Sequence, residues 1–296
     1  SSMIPYDTWG NAATNLADAL AFQQSGGTVL ISNGTYTVGA EARIANAVTL
    51  RGFNGAGNTI LQRGSGSYRL FSLVHSNAVL DGLTLANGNQ PIGQQGGNVW
   101  MNGGTLTNCV VRGGYVYNDG AAGAGIYMSG GIVTHCVINN NTNAGDSQGG
   151  RYTAGGGGIY MTAGRVENST IVSNYLNGGG DGSSGGGLKV SGGLVRNCLV
   201  RNNTVAGGYV PYGGGVGVHG TGVLLNCTVV SNVVTSASGG RVGGVRSSGA
   251  TGGGVTNCII YGNACATPAS IQDMDEPGIA YYSCAPDLTA GVNSTL

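Results

Sequence analysis

Between Gly97 and Asn263 one pattern of about thirty residues occurs six times, and a chain that repeats at that period is built as a stack. Its clearest copy runs from Gly187 to Asn203: Gly-Leu-Lys-Val-Ser-Gly-Gly-Leu-Val-Arg-Asn-Cys-Leu-Val-Arg-Asn-Asn. Aligned on Asn108, His135, Asn168, Asn197, Asn226 and Asn257, the copies are 27, 33, 29, 29 and 31 residues apart. The next position reads Cys109, Cys136, Ser169, Cys198, Cys227 and Cys258. Six residues past the anchor stand Gly114, Asn141, Asn174, Asn203, Asn232 and Asn263. A column of small thiols beside a column of amides suits stacked parallel coils, because amides at one corner hydrogen-bond along the stack.

Within each copy the apolar residues alternate with a period of two, which is strand spacing. A first short strand is expected at Val99–Met101, Ile126–Met128, Ile159–Met161, Leu188–Val190 and Val216–Val218, with its outer two residues inward. A Gly-Gly turn follows, then a second strand whose inward residue is Leu106, Val133, Val166, Val195, Leu224 or Val255. The in/out parity shifts at the anchor, which predicts a bend, and a third strand buries Val111, Ile138, Ile171, Val200, Val229 and Ile260. Asp81 is expected to occupy the anchor of an earlier coil, with Asn87 at its corner six residues later. The Gly-, Asn-, Ser- and Asp-rich residues between each corner Asn and the next Gly-Gly vary in length and are expected to be loops.

This predicts an all-β parallel β-helix solenoid with three short strands per coil. Residues 1–26 form an N-terminal segment with a short helix, from about Ala12 to Gln24, that caps the open end. First coils span 27–95, regular coils 96–264 and an irregular tail 265–296, all in one continuous solenoid. Sixty Gly occur among 296 residues without a Gly-X-Y period, which excludes collagen. Only 8% of residues are charged and the formal net charge is zero, which argues against nucleic acid as a partner; no apolar run is long enough to span a membrane. Seven Cys do not make a disulfide framework: five fall in the buried column, leaving Cys265 and Cys284 as the pair free to join. His135-Cys136 stands alone, so a zinc site is not expected. The sequence starts at Ser1 and shows no signal peptide, as expected of a processed or cloned product.

The alternation of Gly-Gly strands with Asn-Cys-x-Val-x-x-Asn segments, together with Gly34-Thr-Tyr36, Leu80-Asp-Gly-Leu-Thr-Leu85 and Asn257-Cys-Ile-Ile-Tyr-Gly-Asn263, resembles the right-handed parallel β-helix superfamily of pectate-lyase-like type. Exported bacterial Gly-rich repeat proteins are the form it looks most like. The resemblance covers nearly the whole chain and implies a right-handed coil and an extracellular or cell-surface location; it implies chemistry weakly.

Enzymes of this fold use the face of the first strand and the loops beside it. Trp100, Tyr127, Tyr160 and Lys189 point outward there, with Tyr152 in a neighbouring loop, and stacked aromatic faces suit sugar rings. Asp119, Asp146 and Asp181 recur in equivalent loops, where they are candidates for a Ca²⁺ cluster or a catalytic carboxylate pair. Arg151 or Lys189 is the base or charge neutraliser that a lyase needs. His75 and His219 show no acid or nucleophile partner along the sequence and read as structural, as do the Ser-rich loops. The outward column Val110, Val137, Thr170, Leu199, Thr228 and Ile259 is largely aliphatic and offers a surface for lateral self-association. Two readings remain: a structural or adhesive scaffold that binds glycan or assembles with itself, or a polysaccharide lyase or glycoside hydrolase.

Overall fold

The computed structural model describes residues 8–22, 24–91, 93–117, 120–145, 155–177, 184–207, 212–236, 242–248, 253–266, 272–275 and 280–286. Its strands stack in parallel into three sheets of 16, 9 and 6 strands. The two strands that flank the Gly-Gly turn share the largest sheet. In two coils they are continuous, as Ile126–Thr134 and Ile159–Glu167, with an irregular register where the turn falls. The second sheet carries the strands after the anchor. The third comes from residues expected to be loop: Tyr115–Val116, Thr142–Asn143, Tyr175–Asn177, Thr204–Ala206, Val233–Val234 and Ala264–Cys265. Leu176, Val205 and Val234 form a small apolar cluster of their own inside that sheet.

One continuous core fills the coil. Ile126, Met128, Val133 and Ile138 of one coil are fully buried, as are Ile159, Met161, Val166 and Ile171 of the next. Burial at each such position contributes on the order of 1.5–3 kcal/mol, and each coil supplies four of them. The thiol column is buried beside this core. Each Cys Sγ donates to the carbonyl two residues back, for example Cys136 to Thr134 at 3.1 Å and Cys198 to Arg196 at 3.1 Å. Burial raises the Cys109 thiol well above its ordinary range, and the hydrogen bond to Cys198 pushes Cys227 up to about 12. Thiols held so far from ionisation are packing groups.

Two corners turn each coil. The anchor residues Asn108, His135, Asn168, Asn197, Asn226 and Asn257 all have φ between 50° and 54°. Asn tolerates that left-handed backbone better than most residues. The corner expected at Asp81 is made by Gly82 instead, at φ 63°; Asp81 pairs with Thr107, one place earlier. The amide ladder shifts with it: Asn87 makes the left-handed corner at φ 64°, but Gly88 takes the ladder position, and its N–H donates to Asn98 Oδ1 at 2.7 Å.

From Asn98 the ladder runs through Asn141, Asn174, Asn203, Asn232 and Asn263. Each Nδ2 donates to the next coil's Oδ1, at 2.8 Å from Asn141 to Asn174 and 3.0 Å from Asn174 to Asn203. Each Oδ1 also accepts a backbone N–H, and each Nδ2 also donates to a carbonyl of the preceding coil, as Asn203 does to Ile171 at 3.0 Å. The chain of aligned amides ends on a carboxylate: Asp273 Oδ1 accepts Asn263 Nδ2 at 2.7 Å and Asn263 N at 2.9 Å.

The capping helix is shorter than the periodicity predicts, Leu16–Ala21, preceded by a 3-10 turn at Trp9–Asn11. Asn15 caps it, accepting from Asp18 N at 2.9 Å, and Leu16, Ala19 and Leu20 pack on the core. At the other end, part of the stretch expected to be irregular continues the stack. Ala280–Tyr281 joins the largest sheet beside Val255, Tyr282 adopts the anchor conformation at φ 51°, and Ser283 Oγ takes the place of the next thiol, accepting from Cys258 N at 3.1 Å. Cys265 lies in the third sheet and Cys284 beside Ile259 of the second sheet, and the expected disulfide between them is not formed. Among the described residues no helix is long and apolar enough to cross a membrane.

Candidate functional face

The outward positions of the first strand fall into a single register column. Ser72 opposes Trp100, Trp100 opposes Tyr127, Tyr127 opposes Tyr160, Tyr160 opposes Lys189, Lys189 opposes Gly217, and Gly217 opposes Arg246. Trp100, Tyr127 and Tyr160 are half-buried, and the two tyrosine rings meet edge to face with centroids 5.5 Å apart. Burial raises the Tyr127 hydroxyl, with Tyr160 adding to the effect.

Lys189 is the charged residue of this column that is buried, only 7% exposed. Its ammonium lies 5.5 Å from the centre of the Tyr160 ring. The aliphatic stem crosses Gly155, where any Cβ would collide with Lys189 Cδ. No carboxylate pairs with the ammonium among the described residues. Burial lowers its pKa to about 8. A charge removed from water without a partner loses protons more easily, and a lysine in that state is an amine ready to accept one.

A second column of single bridges runs alongside: Ala122, Gly155, Ser184 and Tyr212. Here His219, for which the sequence shows no acid or nucleophile partner, meets Ser184. Ser184 Oγ lies 2.8 Å from His219 Nε2. Both atoms sit over Gly217, where a Cβ would meet Ser184 Oγ at 2.5 Å and His219 Nε2 at 3.3 Å. One coil further on, the Arg246 guanidinium stacks 3.3 Å from the centre of the Tyr212 ring, with Nη1 3.8 Å from Asp275 Oδ2.

The other candidates separate. Asp119, Asp146, Asp181, Arg151 and Tyr152 lie outside the described residues, and so does the calcium cluster or carboxylate pair they were expected to form. His75 accepts from Asn77 N at 3.1 Å in its own turn, away from this column. His135 points out and Cys136 points in, so the two do not share a ligand site. No group of three or more metal-ligating side chains occurs among the described residues. The column Val110 to Ile259 lies in register on the second sheet, with Ile259 54% exposed and Val137 37%. A cavity of about 350 Å³ beneath the capping helix, lined by Leu16, Ala19, Val29, Ile31 and Leu61 among others, carries none of these residues.

The signal that sequence reading missed was the glycine. Trp, Tyr, Tyr, Lys and Arg occupy the outward column, and Gly217 interrupts it. A gap in a column of large residues marks where side chains from the neighbouring column enter.

Three parallel sheets and a ladder of stacked amides define a parallel β-solenoid. Among solved structures, pectate lyase Pel9A aligns with 96% of this chain and 78% of its own, at 12% identity and a TM-score of 0.54. The mannuronan C-5 epimerase AlgE6 A-module of Azotobacter vinelandii aligns with 91% of this chain and 93% of its own, at 16% identity and a TM-score of 0.28. No protein-family description and no curated protein matches the chain. At this level of identity the likeness to Pel9A is one of fold.

Proposed function

We propose that the protein cleaves an anionic, uronate-containing polysaccharide by β-elimination on the first-strand face, with Lys189 as the base. Of the two readings left open by the sequence, scaffold or enzyme, this face favours the second. The observation that carries it is the buried ammonium of Lys189, unpaired among the described residues and with a pKa of about 8. A scaffold gains nothing from an unpaired buried charge, whereas a general base works best with a pKa near the working pH. A hydrolase needs two carboxyl groups about the scissile bond. The described part of this column offers none: it is aromatic and cationic from Trp100 to Arg246, apart from Gly217.

The neutral amine of Lys189 accepts the proton from C5, which is acidic because it lies next to the uronate carboxylate. The C5–H electron pair becomes the C4=C5 double bond, the C4–O4 bond breaks, and the departing oxygen takes up a proton. Trp100, Tyr127 and Tyr160 provide half-buried aromatic surface along the path of the polymer, suited to the apolar faces of sugar rings. A polymer of this kind lies outside the cell, and the proposal puts the protein there as well.

The test is incubation with pectate and with alginate, following the ultraviolet absorbance of the unsaturated product, with and without added calcium. The wild-type protein is expected to produce that absorbance, and Lys189→Met to lower the rate by about 10²–10⁴-fold. No unsaturated product from the wild type under any of these conditions, or full activity in Lys189→Met, overturns the assignment.

A further inference from the structure

The elimination leaves one proton unaccounted for, the one taken up by O4. Building on the lyase reading, we infer that His219 donates that proton and that Ser184 is its positioning residue.

The placement follows from the register. Lys189 and Gly217 are opposed in neighbouring strands, and His219 stands two residues beyond Gly217 on the same face. With no side chain on Gly217, the imidazole folds back over that position until Nε2 reaches Ser184 Oγ at 2.8 Å. Ser184 is fully buried and His219 half-buried, so the hydroxyl anchors the ring from beneath. The Lys189 ammonium leans the other way, towards Tyr160. Base and donor are thus carried by adjacent coils of the outward column, whose backbones are roughly 5 Å apart, with the ammonium towards the Tyr160 side and the imidazole over Gly217. Among the described residues, the charged or titratable groups around His219 are Lys189 before it, Arg246 after it with its partner Asp275, and Tyr212 beside Ser184. The Arg246 guanidinium holds a uronate carboxylate favourably, and a bound carboxylate in turn favours the protonated imidazole that donation requires.

A structural histidine and a proton donor are told apart by the leaving group. On pectate, His219→Gln is expected to lose about 10²–10⁴-fold in kcat with KM changed only a few-fold, because proton transfer contributes that much. On a uronate carrying an aryl ether at C4, whose leaving oxygen departs without protonation, the same variant is expected to stay within about tenfold of wild type. Ser184→Ala is expected to show the same pattern at smaller amplitude, and it guards against a His219→Gln protein that fails to fold. Equal losses on both substrates, or unchanged kcat on pectate, overturn the inference while leaving Lys189 in place. A wild type inactive on both substrates overturns the lyase reading, and the donor assignment falls with it.

Discussion

Two buried polar systems run along this solenoid, and they are built on opposite terms. The amide ladder from Asn98 to Asp273 is satisfied: each interior oxygen accepts two hydrogen bonds, each nitrogen donates to the next coil and to a carbonyl, and the series ends on an anion. At Lys189 the described residues supply an aromatic ring and no counter-charge. Satisfied burial adds to stability in proportion to its hydrogen bonds, whereas unsatisfied burial subtracts from it and persists where it serves something else. The first system is architecture, and the second is the observation on which the proposed activity rests.

The comparison is broken most forcefully inside the ladder. Asn203→Ala removes the acceptor of Asn174 N and Nδ2 and the donor to Asn232 and Ile171, in a position with no access to water. With two donors and two acceptors losing partners, the loss is expected to be ~3–5 kcal/mol in denaturant unfolding, centred on the coils around Asn203. A loss below ~1 kcal/mol means that water or neighbouring groups replace the amide, and the ladder is then decoration on an apolar core.

At Lys189 the sign reverses. Its folded-state pKa of about 8 lies below the ordinary lysine value of 10.5, so between those values the unfolded chain holds a proton that the folded protein lacks. Stability from this group therefore falls as pH drops from about 10.5 to about 8 and stays low beneath that. Lys189→Met is expected to stabilise the protein by up to ~3 kcal/mol at pH 7, with the gain fading as pH approaches 10.5. A variant both more stable and inactive is the signature of a group retained for function. Destabilisation at pH 7 sinks the account of Lys189 as an unpaired charge.

Legibility divided along the same line. Inward residues, thiols and corner amides recur at coil spacing, so Cys198, Cys227 and Cys258, or Asn203 and Asn232, identify one another by alignment alone. The third sheet escaped because its strands are two or three residues long, and the inward Asn143 reads as a turn residue. The first corner was misplaced by one residue because a glycine, Gly82, turns the chain where later coils use Asn. Ser184 and His219 are 35 residues apart and belong to no column of like residues; only the coil spacing brings them to 2.8 Å. Repetition makes architecture visible in a sequence, and sites are the places where repetition stops.

The smallest expected effect tests whether the outer corner belongs to the ladder's side of the comparison. Asn197 at φ 53° donates from Nδ2 to Asn168 Oδ1 at 3.2 Å, but it is exposed, so water can take over that bond. Its conformational role remains after the hydrogen bond is discounted. Asn197→Ala puts a residue with a Cβ and no compensating side-chain polarity into the left-handed region, and is expected to cost about 1 kcal/mol. Asn197→Gly removes the same side chain yet adopts that backbone freely, and is expected to recover most of the loss. If the two variants are equally destabilised, the outer amides contribute through hydrogen bonding as the inner ones do, and the solenoid has two load-sharing ladders. If glycine alone is tolerated, the outer column is a row of turns whose asparagines serve chiefly to make φ near 50° affordable.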